Sequence, residues 1–186
     1  MRKLVYYVAV SLDGYIAGPQ GEYDFYPLDQ DMAAWICRRY PESVAAMFRS
    51  QAGLDGVPNV HWDTVLMGRA TYEAGGQANP YGHLKQYVWT NSRTIDEPGI
   101  EQVTGDPAEF VRGLKKQAGK DIWLCGGARL AGALMDEIDQ LIVKSYPVIA
   151  GAGIPMFAAG FRPTQFKVTQ REEFGNGATV TWLDRA

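Results

Sequence analysis

The chain's clearest pattern is Leu4 to Val10 (LVYYVAV), an unbroken apolar run rich in β-branched and aromatic residues. A strand buried on both faces reads this way, because neither face needs polar positions. Shorter runs of the same kind follow at Thr64 to Met67, Gln86 to Thr90, Asp121 to Cys125 and Gln140 to Tyr146. Between them the period becomes helical. The segment Leu28 to Arg39 leads Met32, Ile36 and Tyr40 along one stripe, with Asp29 placed to cap its start. Pro41 interrupts that helix or opens a second one, and PESVAAMFRSQAG continues it with Val44, Met47 and Phe48 facing inward. Asp106 and Pro107 supply a cap and a first-turn proline for a helix to about Gln117, and Gly127 to Met135 reads as another.

Two stretches rich in glycine and proline, SLDGYIAGPQGEYDFYP and PVIAGAGIPMF, read as loops, and the segment between Arg93 and Asp106 as strand or loop. Phe166 to Phe174 and Ala178 to Leu183 alternate like half-buried strands around Gly175-Asn176-Gly177, a hairpin signal. The order predicts an α/β fold, with a mostly parallel central sheet, helices on both faces and a C-terminal antiparallel hairpin. No repeat or linker divides residues 1–186, so a single domain is expected.

Composition narrows the function classes. With 46% hydrophobic and 21% charged residues, the chain can bury an ordinary core. A net charge of −3 gives no general attraction to nucleic acid or to an anionic membrane, and no run is long enough to span a bilayer. Cys37 and Cys125 stand far apart, outside any disulfide or zinc pattern, which makes a cytoplasmic location the natural expectation. The N-terminal run is broken by Ser11, Asp13 and Gly14 and has no cleavage site, so it reads as a strand and not as a signal peptide. His61 and His83 have no metal-ligand spacing.

In an open α/β sheet, ligands bind beyond the carboxyl ends of the strands. Four expected ends carry unusual residues: Ala9-Val10-Ser11, Gly68-Arg69-Ala70-Thr71, Thr90-Asn91-Ser92-Arg93 and Gly126-Gly127-Ala128-Arg129. Two of them open helices, where free N–H groups and the dipole favour phosphate. Glycine lets backbone approach a ligand, arginine adds a planar cationic fork, and the hydroxyls add neutral donors. Each feature alone is ordinarily a turn or a solvated charge. Their recurrence at equivalent ends suits a dinucleotide carrying an extra phosphate. The Gly-x-Gly-x-x-Gly fingerprint is absent, since Gly14, Gly18 and Gly21 have the wrong spacing, and no P-loop occurs.

The pieces VAVSLDGYIAG, TVLMGRATYE, IWLCGGARL and YPVIAGAGIPMF resemble the dihydrofolate reductase superfamily. The chain is most similar to the C-terminal reductase domain of the bacterial riboflavin-biosynthesis deaminase/reductase. These pieces fall in the family's order over nearly the whole chain. The fused deaminase's His-x-Glu and Pro-Cys-x-x-Cys signature is absent, so a stand-alone homologue is expected. The resemblance implies a dihydrofolate-reductase-like fold, a homodimer, and NADPH-dependent hydride transfer to a small planar heterocycle or another C=N or C=O substrate. The alternative is a non-catalytic nucleotide- or ligand-binding module that keeps the fold.

By the same resemblance, backbone near Ala9 holds the nicotinamide carboxamide and Ile16 covers the ring. Gly68, Arg69 and Thr71 bind the pyrophosphate and the 2′-phosphate side, while Thr90, Ser92 and Arg93 lie along the adenosine. Gly126 and Gly127 form a cis peptide under the nicotinamide-pyrophosphate region, and Ala128, Arg129 and Leu130 open the next helix. The three arginines favour NADPH over NADH. For the proton, Asp31 matches the superfamily's acidic position, where a half-buried carboxyl would serve as or orient the source. The competing reading makes Asp31 a first-turn complement to the helix dipole beside the Asp29 cap. Asp13 reads as an Asx turn. Tyr23, Phe25 and Tyr26 either stack on a heterocycle or close their loop over the core, and Trp62, expected in a loop, either walls a pocket or packs inside.

Overall fold

All 186 residues are described by a computed structural model, and the early apolar run organises it. Strand β1 (Leu4–Val10) pairs in parallel with β6 (Asp121–Gly126) on one side and with β7 (Gln140–Ser145) on the other. Beyond β6 the parallel sheet continues through β3 (Trp62–Gly68), β4 (Lys85–Trp89) and β5 (Ile100–Val103). Beyond β7 an antiparallel edge is built from β10 (Thr179–Arg185) and β9 (Phe166–Glu173). The eight-stranded order is β5-β4-β3-β6-β1-β7-β10-β9, the expected parallel sheet with a C-terminal hairpin.

Alternate residues of β1 feed two cores. Leu4, Tyr6, Val8 and Val10 face a mostly aliphatic cluster under α4 (Pro107–Lys115) and α5 (Ala128–Ala133). Val5 and Tyr7 face an aromatic cluster under α1 (Gln30–Arg39). In that second core Tyr40 stacks on Trp62 at 5.0 Å and Trp62 on Trp123 at 5.4 Å. The Trp182 indole donates to the Tyr40 hydroxyl at 2.8 Å, so its buried N–H is satisfied. Trp62 opens β3 instead of lying in a loop, and it is a core residue.

Local chemistry sets the helix starts. Asp29 accepts the Met32 N–H at 2.8 Å, and Asp106 accepts that of Ala108 at 2.9 Å ahead of Pro107. At the hairpin, Gly177 takes φ +82, a conformation natural to glycine.

The structure departs from expectation in three further places and settles one segment left open. The expected helix over PESVAAMFRSQAG is a 3-10 turn at Pro41–Ser43 and a four-residue α2 (Ala46–Arg49). Met47 and Phe48 are exposed, and Arg49 is the buried residue. Its guanidinium donates to the carbonyls of Pro41, Leu54 and Val57 at 2.6, 3.0 and 3.1 Å, satisfying backbone that an apolar side chain would leave unpaired. The two stretches expected as loops contribute β2 (Tyr15–Ala17) and β8 (Ile154–Pro155), paired antiparallel in a small second sheet. The open segment after Arg93 contains β5. Helices α4 and α5 end earlier than their apolar patterns, at Lys115 and Ala133.

The capping geometry separates the two aspartates of α1. Asp29→Ala should lower stability by about 1 kcal/mol in denaturant unfolding. Asp31→Ala, at an exposed position with no hydrogen bond, should change it by less than about 0.5 kcal/mol.

Candidate active site

The carboxyl ends of β3 and β6 adjoin, with Met67 paired to Gly126. At this point β3 passes at Gly68 into α3 (Arg69–Ala74), and β6 passes at Gly127 into α5. Gly126 has φ +135, a backbone conformation side chains rarely adopt, and the Gly126–Gly127 peptide is cis. A Cβ on Gly127 would lie 3.0 Å from the Thr71 hydroxyl oxygen. One on Gly68 would lie 3.5 Å from the Gly127 nitrogen and 3.9 Å from the Leu130 side chain. Gly68, Thr71, Gly126, Gly127 and Leu130 therefore converge around bare backbone. Ala128 and Leu130 are buried beneath it, while Arg129 is exposed.

The polar end of β4 lies beyond α3. Thr90 is buried and accepts the Ser92 N–H at 3.3 Å, whereas Ser92 and Arg93 are exposed. Arg69 and Arg93 both reach Glu73, at 4.0 and 3.5 Å. Exposed pairs of this kind contribute about 1 kcal/mol or less, so neither arginine is committed to Glu73. Helices α3 and α5 have only six residues each, so the expected dipole effect is weak here. Anion affinity would rest on the arginines and on free backbone N–H groups.

On the other side of β6, Ala9 is partly buried near the end of β1. The Tyr26 hydroxyl lies 2.7 Å from the Tyr15 carbonyl and 3.4 Å from that of Ala9, so its single proton goes to Tyr15. Phe25 packs on Tyr26 at 4.4 Å and Tyr26 on Tyr146 at 4.9 Å, which closes that loop over the core and leaves Tyr23 outside. Ile16, on β2, packs against the aliphatic core. Asp31 is exposed, so the half-buried carboxyl expected at the start of α1 is not there; the cap interaction belongs to Asp29.

Asp13 has a role that its sequence neighbourhood hides. Its carboxylate accepts the Ser11 hydroxyl at 2.5 Å and the N–H groups of Ala150 and Gly151 at 3.0 and 2.7 Å. The Ser11 hydroxyl and these amides hold its pKa down at about 2. The result is a clamp from the β1–β2 loop to the segment before β8, which fixes the small sheet carrying Ile16. A local Asx turn was expected, because the partner segment is remote in sequence.

The sheet order, the glycine-lined junction and the C-terminal hairpin define a dihydrofolate-reductase-like α/β fold. The chain belongs to the RibD C-terminal domain family, whose model matches residues 2–180. It is 30% identical over 190 residues to YwjB of Bacillus subtilis (strain 168), an uncharacterized protein, covering 98% of each chain. It is 28% identical to the uncharacterized YyaP of the same strain, covering 95% of this chain and 91% of that one. Among solved structures, it superposes on a Shewanella sp. PV-4 protein named for riboflavin biosynthesis with TM-score 0.70, 22% identity and 99% coverage of both chains. A Thermotoga maritima deaminase/reductase gives TM-score 0.67 at 16% identity, all of this chain spanning 57% of that one. Enterococcus faecalis dihydrofolate reductase, solved with NADP(H), gives TM-score 0.67 at 14% identity, covering 98% and 96%.

The Asp13 clamp has a defined pH window. Its folded pKa lies below the ordinary 3.8, so its contribution is complete above about pH 4 and is lost as the pH falls toward 2. Asp13→Ala should speed amide exchange at Ala150 and Gly151 by roughly tenfold or more at pH 7. In the wild type, protection of these two amides should persist unchanged from pH 7 down to about pH 4.

Proposed function

We propose that the protein is an NADPH-dependent reductase acting on a small planar heterocycle or another C=N or C=O substrate. The convergence of Gly68, Thr71, Gly126, Gly127 and Leu130 beside the end of β1 carries this reading. A flat ring joined to a pyrophosphate needs backbone close at hand with no side chain in the way. The junction fits that need: a Cβ on Gly127 would crowd the Thr71 hydroxyl at 3.0 Å.

In this reading, backbone at Ala9 holds the carboxamide and Ile16 covers the ring. Gly68, Thr71, Gly126, Gly127 and the Ala128–Leu130 turn line the pyrophosphate. Arg69 and Arg93, released from Glu73, take the 2′-phosphate, Arg129 adds charge at the pyrophosphate, and Thr90 and Ser92 follow the adenosine. NADPH, when bound, supplies the hydride. The chain's own residues orient the reacting faces and exclude water from them. Support comes from the reductase named in the Thermotoga maritima structure and the NADP(H) named with the Enterococcus faecalis one. Family resemblance also supports a cytoplasmic homodimer; a single 20.5 kDa species in light scattering would refute the dimer.

The exposed position of Asp31 favours a second reading, a ligand-binding module that keeps the fold without turnover. NADPH oxidation in the presence of dihydrofolate, the ribosylaminopyrimidine intermediate and a panel of aromatic carbonyls separates the two. Turnover of any of them establishes a reductase, whereas NADPH binding without turnover selects the module. Arg69→Ala and Arg93→Ala should each weaken NADPH binding by roughly tenfold, the effect of one charge-assisted contact, and leave NADH binding nearly unchanged. Equal losses for both nucleotides would remove the 2′-phosphate assignment.

A further inference from the structure

Strand β7 contains a cation that the proposed binding scheme leaves unused. Lys144 is its penultimate residue, at the carboxyl edge of the sheet where the candidate site lies. It is paired with Ala9 on β1 and with Val180 on β10. Its side chain points to the aromatic face, with the ammonium 4.1 Å from the centre of the Tyr7 ring. The side chain is partly buried, and the ammonium has no carboxylate within ion-pair reach. Lysines are rarely buried unless paired, and a cation over an aromatic face only partly replaces lost hydration.

The surroundings make this ammonium a usable acid. Burial draws its pKa down to about 8, only partly offset by the Cys125 thiol. The neighbouring groups move the other way: burial raises Tyr7, Tyr40 and Tyr81, and pushes Tyr146 and Cys125 up to about 12. The carboxylates on this side are Glu172 of β9, two strands away across Val180; Asp184 of β10, which accepts from Gln140 at 2.7 Å; Glu42, which accepts the Trp62 N–H at 2.9 Å; and Asp29, near Tyr146; none forms an ion pair with Lys144. Between about pH 6 and 9, Lys144 is therefore the group among these aromatic and thiol neighbours that changes charge. General acids work best with a pKa near the operating pH.

We propose that Lys144 is the proton donor of the reduction, delivering a proton from Nζ to the nitrogen or oxygen of the substrate's C=N or C=O bond. The carbon takes the hydride, and the electron pair of the broken π bond becomes the new N–H or O–H bond. The substrate is reduced by two electrons and the nicotinamide oxidised by two. Lys144 is left as a neutral amine and regains its proton from water. This assignment rests on the reductase reading of the same cleft.

Two variants and one spectroscopic probe test it. In the wild type labelled with 15N-lysine, one ammonium resonance absent from Lys144→Met should titrate near pH 8. An ordinary value, near 10.5, overturns the proposal whatever the activity. Lys144→Met and Lys144→Arg should bind NADPH within about twofold of wild type by fluorescence quenching. Both should lose roughly a hundredfold or more in kcat on the substrate found in the panel above, because arginine keeps the charge but does not release its proton. The alkaline limb near pH 8 in the wild-type kcat profile should be absent from their residual activity. Full activity in Lys144→Arg overturns the donor assignment and leaves the reductase reading intact. Failure of the wild type to bind NADPH, or to turn over any panel member, overturns both.

Discussion

The structure depends on one strand being buried on both sides. Every residue of β1 except Ala9 lies in a core, and its backbone edges are taken up by β6 and β7. A strand in this position offers ligands neither a face nor an edge. What it leaves open is its carboxyl end, and because its neighbours run parallel to it, their carboxyl ends gather at the same border of the sheet. The glycines at Gly68 and Gly126–Gly127 then allow two of those ends to approach without side chains between them. Site chemistry is thus a consequence of how the core is divided.

The two faces of that strand are filled differently, and the difference bears on function. The side under α4 and α5 is mostly aliphatic. The side under α1 is lined by tyrosine and tryptophan rings, each with an apolar body and a polar tip. Burial keeps several of the tyrosine hydroxyls protonated well beyond neutral pH. Against that neutral background, the single cation of β7 stands out chemically.

Much of this was legible along the chain. The core strands were apparent because buried parallel strands are written as short apolar runs, and α1 and α4 because each begins with an aspartate in capping position. The glycine junctions and arginines were visible as recurring punctuation at strand ends. Lys144 was visible too, as a lone charge inside QLIVKSY, but nothing local separates such a lysine from one that reaches solvent. Met47 and Phe48 misled in the opposite direction, since apolar residues at helical spacing announce a core face only when a partner surface exists. There the polar demand of three loop carbonyls placed Arg49 inside instead.

What the sequence determined by itself is therefore the kind and order of the main elements, because periodicity and capping are local physics. It also determined which residues stand at the strand ends. Tertiary structure alone decided which of those ends adjoin, because strand order is set by contacts between segments far apart in the chain. It decided that Asp13 clamps Ala150 and Gly151, and that β2 finds β8, each across more than a hundred residues. It also decided the environment of Lys144, since a side chain's acidity depends on the groups around it, and those come from strands and loops along the whole length of the chain.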